Sequence, residues 1–148
     1  MHTSSRRRQS GFTLVELMIA TSVSGVLASI AYPSVSGAMH KMRRTEALVS
    51  MIQLQQAQER WRSNNGRYGT LEEIGVPGAV AGRSYRLAVD AATAQGYAAI
   101  AVATGAQARD AACLYMVLVV DGGDAAYRSG ATDAADNPAA ANRRCWNL

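Results

Sequence analysis

The stretch Phe12–Tyr32 reads FTLVELMIATSVSGVLASIAY, and it decides how the rest of the chain is organised. Its 21 residues carry a single charge, the carboxylate of Glu16. As an α-helix with a rise of about 1.5 Å per residue it spans roughly 30 Å, the thickness of the hydrocarbon core of a bilayer. Arg6, Arg7 and Arg8 precede it, which favours a cytoplasmic N-terminus. The stretch therefore predicts a helix that enters a membrane.

Three kinds of segment share this composition: a cleaved secretory signal, a plain signal anchor, and a helix that is first inserted and later packed in protein. Val35-Ser36-Gly37 offers small residues for signal cleavage. Glu16 favours the third interpretation. A carboxylate in a hydrocarbon-spanning segment costs about 2.5–3.5 kcal/mol at the centre, and less near an end. Neither a cleaved secretory signal nor a plain signal anchor requires a charge at this position.

Pro33 interrupts the helical pattern, because proline lacks a backbone N–H and crowds the preceding turn, so a kink or local break is expected. The pattern then resumes with an apolar stripe that should dock on a sheet. Its residues are Ala47, Met51, Leu54 and Trp61, with Leu48 and Ile52 beside them. Asn64-Asn65-Gly66 ends the helix, which is predicted to run over residues 12–63. His40 is expected to be a solvated residue of this helix.

Three apolar segments after the helix predict β-strands: Ser84–Asp90, Gly96–Thr104 and Cys113–Asp121. Asp121-Gly122-Gly123-Asp124 is a tight-turn sequence, and residues 125–142 are expected to form an exposed loop. A short fourth strand near the C-terminus stays open. The predicted fold class is α+β, a long N-terminal helix packed on a small antiparallel sheet of three or four strands.

The net charge of +4 lies mostly before the helix. From Phe12 onward, twelve basic side chains face eleven acidic ones. Phosphate binding needs clustered lysines and arginines, so nucleic acid is not the expected partner of the main body.

Two cysteines, Cys113 and Cys145, lie 32 positions apart. Two are too few for a disulfide-stapled miniprotein or a cysteine zinc site. One disulfide is the default in an exported domain, and two buried thiols are the alternative.

The sequence contains no recognisable catalytic set. The histidines are His2 and His40, so the globular part cannot build a triad or a zinc site from them. No phosphate-binding GxxxxGK[ST] loop or dinucleotide-binding GxGxxG motif is present. Four aspartates could suggest calcium, but their spacing matches no EF-hand. They are Asp121, Asp124, Asp133 and Asp136. We expect no enzyme activity, no cofactor and no metal.

Residues 11–17, GFTLVEL, follow a short basic leader and begin an apolar run. This arrangement resembles the processing signature of class III signal peptides, which type IV prepilins and type II secretion pseudopilins carry. The resemblance implies a cleaved leader at residues 1–11 and a transmembrane and assembly helix at residues 12–38. Residues 39–148 would be a periplasmic or extracellular domain with the type IV pilin fold.

The resemblance also implies roles for single residues at the start of the helix. A membrane aspartic prepilin peptidase would cut between Gly11 and Phe12, and Phe12 would be N-methylated. Glu16 would meet the free N-terminal amine of an adjacent subunit, because a buried carboxylate paired with an ammonium is far cheaper than either alone. Pro33 falls where type IV pilins commonly carry a proline, around which the helix is thought to loosen in the fibre.

The C-terminal part of the sequence also resembles that of type IV pilins. Cys113 and Cys145 resemble the pair that closes the C-terminal region of pilins, and the ending Cys145-Trp146 resembles that of PilE-type minor pilins. Major pseudopilins generally close this region with calcium instead.

The function implied is that of a structural subunit of a type IV pilus, a minor pilin that supports pilus assembly, twitching motility, adhesion or uptake. The implied partners are prepilin peptidase, other pilin subunits and the pilus assembly machinery. The chain would be held in the inner membrane by one span, with its C-terminal domain in the periplasm, before it joins an extracellular fibre. Two alternatives stay open: a type II secretion pseudopilin, and a DNA-uptake pilin that contacts DNA through Arg143 and Arg144.

Overall fold

A computed structural model of the chain describes residues 12–78 and 83–148, without the side chains of residues 31–34. Its contacts divide the chain into two compact units that meet between Gly37 and Ala38. The predicted leader and Gly11 lie outside the described residues, and so does the side chain of Pro33.

Helix α1 is Leu14–Asn65, 52 residues long. It ends where the sequence predicts an end, because Gly66 takes the left-handed conformation with φ of 70°. The N–H of Gly66 donates to the carbonyl of Arg62 at 2.8 Å, which satisfies one of the last carbonyls of the helix. The expected helix end at Asn64-Asn65-Gly66 is therefore confirmed.

The sheet has four strands: β1 Tyr85–Asp90, β2 Gly96–Ala103, β3 Tyr115–Asp121 and β4 Asp124–Gly130. Their order is β1-β2-β3-β4, and each neighbouring pair is antiparallel. The first three strands lie in the three predicted segments, and the predicted α+β class is confirmed.

Strand β4 and the short helix α2, Ala139–Trp146, correct the expectation of a loop over residues 125–142. Gly122 and Gly123 have φ of 58° and 97°, which closes a tight hairpin that pairs Asp121 with Asp124. The turn then lays DAAYRSG against β3, although most of these residues favour strands weakly. The fourth strand that the sequence left open is therefore present as β4, and the segment after it forms α2.

The core of the second unit lies between α1 and one face of the sheet. Ala47, Met51 and Leu54 of the predicted stripe are at most 2% exposed. Trp61 is half-buried, and Ile52 is 46% exposed. The buried residues that pack against the stripe come from every strand but β4 and from α2. They include Tyr85, Leu87, Tyr97, Ala99, Ala101, Met116, Leu118 and Trp146. A fully buried large side chain among them stabilises the fold by about 1.5–3 kcal/mol.

Candidate assembly surface and C-terminal region

The described residues of the first unit form an apolar helix whose side chains are exposed. Every side chain from Phe12 to Ile30 is exposed, and the large apolar ones among them are 53–88% exposed. An apolar surface of this extent marks a membrane or protein interaction site. Taken one at a time, the helices of the described residues are not long and apolar enough to cross a membrane. The consecutive stretches Leu14–Ile30 and Val35–Asn65 pass only as a pair, by length and composition.

A capping box holds the start of α1. The backbone N–H of Thr13 donates to a carboxylate oxygen of Glu16 at 2.9 Å, and the Thr13 hydroxyl donates to the same oxygen at 2.8 Å. In return the N–H of Glu16 donates to the Thr13 hydroxyl at 3.2 Å. The spacing Thr-x-x-Glu before an apolar run is a sequence signal for this motif, which the sequence predictions above do not include. In the single chain, Glu16 therefore has a local partner.

The processing site lies only partly within the described residues. Gly11 is outside them, and Phe12 is 88% exposed. Cleavage between Gly11 and Phe12, methylation of Phe12 and pairing of Glu16 with a neighbouring amine all stay predictions.

Cys113 and Cys145 form a disulfide with a Cα–Cα distance of 5.5 Å. Both cysteines are at most 1% exposed. The bond joins the segment before β3 to α2 and encloses β3 and β4 between them. The predicted disulfide is confirmed, and the alternative of two buried thiols is wrong.

Gln107 is the centre of a buried polar network in the second unit. Its side-chain N–H groups donate to the hydroxyl of Tyr85 at 3.1 Å and to the carboxylate of Asp110 at 2.9 Å. Its carbonyl oxygen lies 3.0 Å from Nδ1 of His40, which is half-buried rather than solvated as expected. Burial raises the pKa of Tyr85 to about 12. The guanidinium of Arg44 donates to the Asp110 carboxylate and is the last member of the network. This hydrogen bond raises the pKa of Arg44.

Helix α2 is attached to both α1 and β4. Arg44 on α1 donates to the carbonyl of Arg144 at 3.3 Å. The indole N–H of Trp146 donates to the carbonyl of Arg128 at 2.9 Å, and its ring meets that of Tyr127 edge-on at 4.9 Å. The C-terminal region is thus a fixed part of the globular unit.

The exposed arginines named as a DNA contact lie in this region. Arg143 and Arg144 are neighbours on α2, and the strand that carries Arg128 packs beside them through Trp146. In the described residues the ion pairs are Arg44–Asp110 and Arg67–Glu73, so these three arginines take part in neither. Over the same residues, no group of three or more His, Cys, Asp or Glu side chains could hold a metal ion.

Comparison with known proteins identifies the family. Residues 33–117 match the family described as "Type IV minor pilin ComP, DNA uptake sequence receptor". Residues 6–32 match the "Prokaryotic N-terminal methylation motif", which agrees with the predicted class III signal. The chain therefore belongs to this family of type IV pilins.

Individual relatives include a type IV major pilin and core proteins of type II secretion systems. The chain is 31% identical to "Type IV major pilin protein PilA" of Myxococcus xanthus over 134 residues, which are 88% of this chain and 56% of that protein. It is 37% identical to "Type II secretion system core protein G" of Aeromonas hydrophila over 68 residues, 46% of this chain and 48% of that protein. The protein of that name from Dickeya chrysanthemi is 36% identical over 67 residues, 45% of this chain and 44% of that protein. The chain spans about half the length of these relatives.

Proposed function

We propose that the chain is a minor subunit of a type IV pilus, built into the fibre through the N-terminal part of α1. One observation carries the proposal: every described side chain from Phe12 to Ile30 is exposed, although most are apolar. Contact between so much apolar surface and water is unfavourable, so cover by lipid or protein stabilises the helix. A bilayer covers it before assembly, and neighbouring pilin helices cover it afterwards.

The proposal includes the maturation that the motif implies. Prepilin peptidase cuts after Gly11, and Phe12 receives a methyl group on its new amine. The chain stays in the inner membrane, with its globular unit in the periplasm, until the assembly machinery adds it to an extracellular fibre. Adhesion, twitching motility and uptake are the activities such a fibre serves. The proposal gives the chain a structural role and no catalytic one.

The extent of the matches favours a pilus over a type II secretion system. Similarity to the major pilin covers 88% of this chain, whereas similarity to the core pseudopilins covers 45–46%. The disulfide between Cys113 and Cys145 supports the same choice, because major pseudopilins generally close this region with calcium.

DNA uptake is a second candidate, favoured by the description of the matched family. Arg128, Arg143 and Arg144 are exposed and supply the cations that DNA contact requires. The family match ends at residue 117, before all three. Arg143→Ala combined with Arg144→Ala should leave assembly intact. A loss of salt-sensitive DNA binding in that variant would support uptake, and binding at the wild-type level would remove these arginines from the proposal.

The decisive experiment is intact mass and N-terminal sequencing of the chain recovered from membranes and from sheared surface fibres. A pilus subunit begins at N-methylated Phe12, contains the disulfide and occurs in the sheared fraction. Confinement of the same mature chain to the envelope would favour a pseudopilin. A chain that begins near Ala38, or at Met1, would overturn the prepilin interpretation.

A further inference from the structure

The sheet has a second apolar face, on the side away from α1. Alternate residues of β2 and β3 belong to the core under α1, and the residues between them lie on the opposite face. Those in the middle of the opposite face are all aliphatic or aromatic: Ala98, Ile100, Val102, Tyr115, Val117 and Val119. Among the described residues, none of the six belongs to the core. An antiparallel sheet that leaves one face to water usually carries polar residues there, so this composition indicates an interaction face.

The two edge strands place charges of opposite sign at the two ends of this face. On β1 its residues are Arg86, Ala88 and Asp90, all exposed. On β4 its residues are Asp124, Ala126 and Arg128, which are also exposed. Because β1 and β4 run in opposite directions, both arginines lie at one end of the face and both aspartates at the other. None of these four charges takes part in an ion pair among the described residues.

We propose that this face packs against the same face of a second copy of the chain, about a twofold axis that passes through Ala88 and Ala126. Each alanine lies midway between an arginine and an aspartate of its own strand, about 7 Å from either along the strand. Rotation about the axis places Arg86 opposite the second copy's Asp90. It also places Arg128 opposite the second copy's Asp124. Each pairing occurs twice, because an isologous contact uses the same surface on both copies.

The register of the sheet allows this arrangement. Ala88 lies in one row with Ile100 and Val117, whereas Ala126 lies in the next row, beside Val119. The axis is therefore oblique to the rows, and the strands of the two copies cross at an angle, as they do when twisted sheets pack. Packed sheets lie about 10 Å apart, a gap that the long side chain of an arginine can bridge to an aspartate.

The charges favour a second copy over other apolar partners. A helix with the composition of Phe12–Ile30 carries a single charge, the carboxylate of Glu16. Such a helix cannot pair two arginines and two aspartates at once, and a lipid chain pairs none of them. Because a charge that loses water without gaining a partner is costly, the surface that best covers this face is one with the same charges in reverse order.

The size of the face predicts a weak contact. Four strands about 4.8 Å apart and about six residues long present roughly 400 Å². Stable interfaces bury about 800 Å² on each partner, so one pair of globular units should associate only transiently. Subunits of one filament are joined by heterologous contacts, so an isologous contact would link subunits of two filaments, where several weak contacts act together. This consequence rests on the proposed function, whereas the pairing of two globular units does not.

Photocross-linking of the detergent-purified full-length chain tests the occupant. A photoreactive amino acid replaces Ala88, next to the proposed axis, and replaces Ser63 in the control. Ser63 is exposed near the end of α1. Irradiation should give an adduct of twice the chain mass, in which position 88 is joined to β1 of the second copy, and position 63 should give no adduct to β1. Adducts from position 88 only to α1 of another chain or to detergent, or no adduct at all, would overturn the inference.

Exchange of the charges tests the orientation of the two copies. With the photoreactive residue at position 88, Arg86→Asp and Asp90→Arg each bring like charges together and should lower the adduct yield about tenfold. The double variant restores opposite charges and should recover the wild-type yield. All three variants should keep the disulfide and the wild-type tryptophan fluorescence, because the substituted residues are exposed on an edge strand.

A wild-type yield from the single variants, or a double variant as poor as they are, would overturn the twofold contact. Recovery in the double variant would support it, since a merely damaged fold would not recover. A self-adduct of the predicted kind in a chain that never enters fibres would support the contact and overturn the proposed function alone.

Discussion

Arg44 of α1 and Asp110, 66 residues further along the chain, form a two-pronged ion pair, with N–O distances of 2.6 and 2.7 Å. The side chains are 17% and 8% exposed. Asp110 directly follows the 3₁₀ helix Gly105–Arg109, which comes after β2. The pair therefore fixes the connection between β2 and β3 to the long helix, and the same guanidinium reaches the carbonyl of Arg144 on α2.

Loss of this pair should destabilise the globular unit. Arg44→Ala leaves the buried Asp110 carboxylate without its cation, and breaking a buried pair costs about 3 kcal/mol or more. We expect the free energy of unfolding to fall by about that amount. Urea denaturation of the detergent-purified chain measures it through the fluorescence of Trp61 and Trp146, which both lie in the second unit.

Arg67→Ala is the matched control, because it also removes an arginine from an ion pair. The Arg67–Glu73 pair has side chains 47% and 32% exposed, and exposed pairs contribute about 0–1 kcal/mol. Equal losses in the two variants would contradict the role given to burial.

The carboxylate of Glu73 should titrate far below its ordinary range. The hydrogen-bonded guanidinium of Arg67, aided by the N–H of Thr70, lowers the pKa of Glu73 to about 2. Because the folded pKa is depressed from about 4.5, the stabilisation is complete above that pH and is lost as the pH falls towards about 2. Carbon-detected NMR titration of the carboxyl should show this midpoint, and Arg67→Ala should raise it. A midpoint near 4.5 in the wild type would refute the contact in solution.

The sequence predicts the long helix and three strands because their signals are local. Apolar periodicity marks α1, the Asn64-Asn65-Gly66 segment marks its end, and alternating or continuous apolar runs mark β1, β2 and β3. The two cysteines likewise predict their own bond once an exported domain is assumed.

The missed features depend on contacts between distant or weakly marked residues. Strand β4 has little β propensity of its own, and it forms because a glycine turn lays it against β3. The sequence predicts that His40 is a solvated helix residue. In the structure its ring contacts the side chain of Gln107, which is 67 residues away in the chain. The periodicity of a single sequence does not predict a contact between residues so far apart. The capping box at Thr13 and Glu16 is different, since its Thr-x-x-Glu spacing is a local signal that predicts the motif.

Removal of the disulfide should weaken the fold without changing its topology. Cys113→Ala with Cys145→Ala releases the closed loop of the unfolded chain, and a loop of this length is worth about 3–4 kcal/mol. Urea denaturation should show a loss near that value. Wild-type chain reduced before the measurement is the control, because it lacks the bond but keeps both sulfur atoms in the core. A double variant as stable as the oxidised wild type would show that the bond contributes nothing.

Replacement of Gly11 by phenylalanine should block maturation. Glycine offers no side chain to hinder the peptidase at the scissile bond, whereas a bulky residue does. We expect uncut precursor to accumulate in the membrane, measured as intact mass. The comparison is Ser10→Phe, one position further from the bond, which should be cut more readily. Normal processing of Gly11→Phe would refute the prepilin interpretation.

The capping box makes it possible to separate two roles of Glu16. As a cap it needs only an oxygen that accepts from Thr13, and glutamine provides one, since capping boxes use glutamate or glutamine alike. As the partner of a neighbouring amine it needs its charge, which glutamine lacks.

Glu16→Gln and Glu16→Ala should therefore both insert and mature normally, and both should be poorly incorporated into fibres. The ratio of chain in sheared fibres to chain in membranes measures this. If charge pairing drives assembly, glutamine behaves like alanine. If Glu16→Gln is incorporated like the wild type while Glu16→Ala is not, capping of α1 is the role that assembly requires, and the intersubunit ion pair is refuted. Thr13→Val checks the assignment, because it removes the hydroxyl side of the cap and leaves the charge of Glu16 in place.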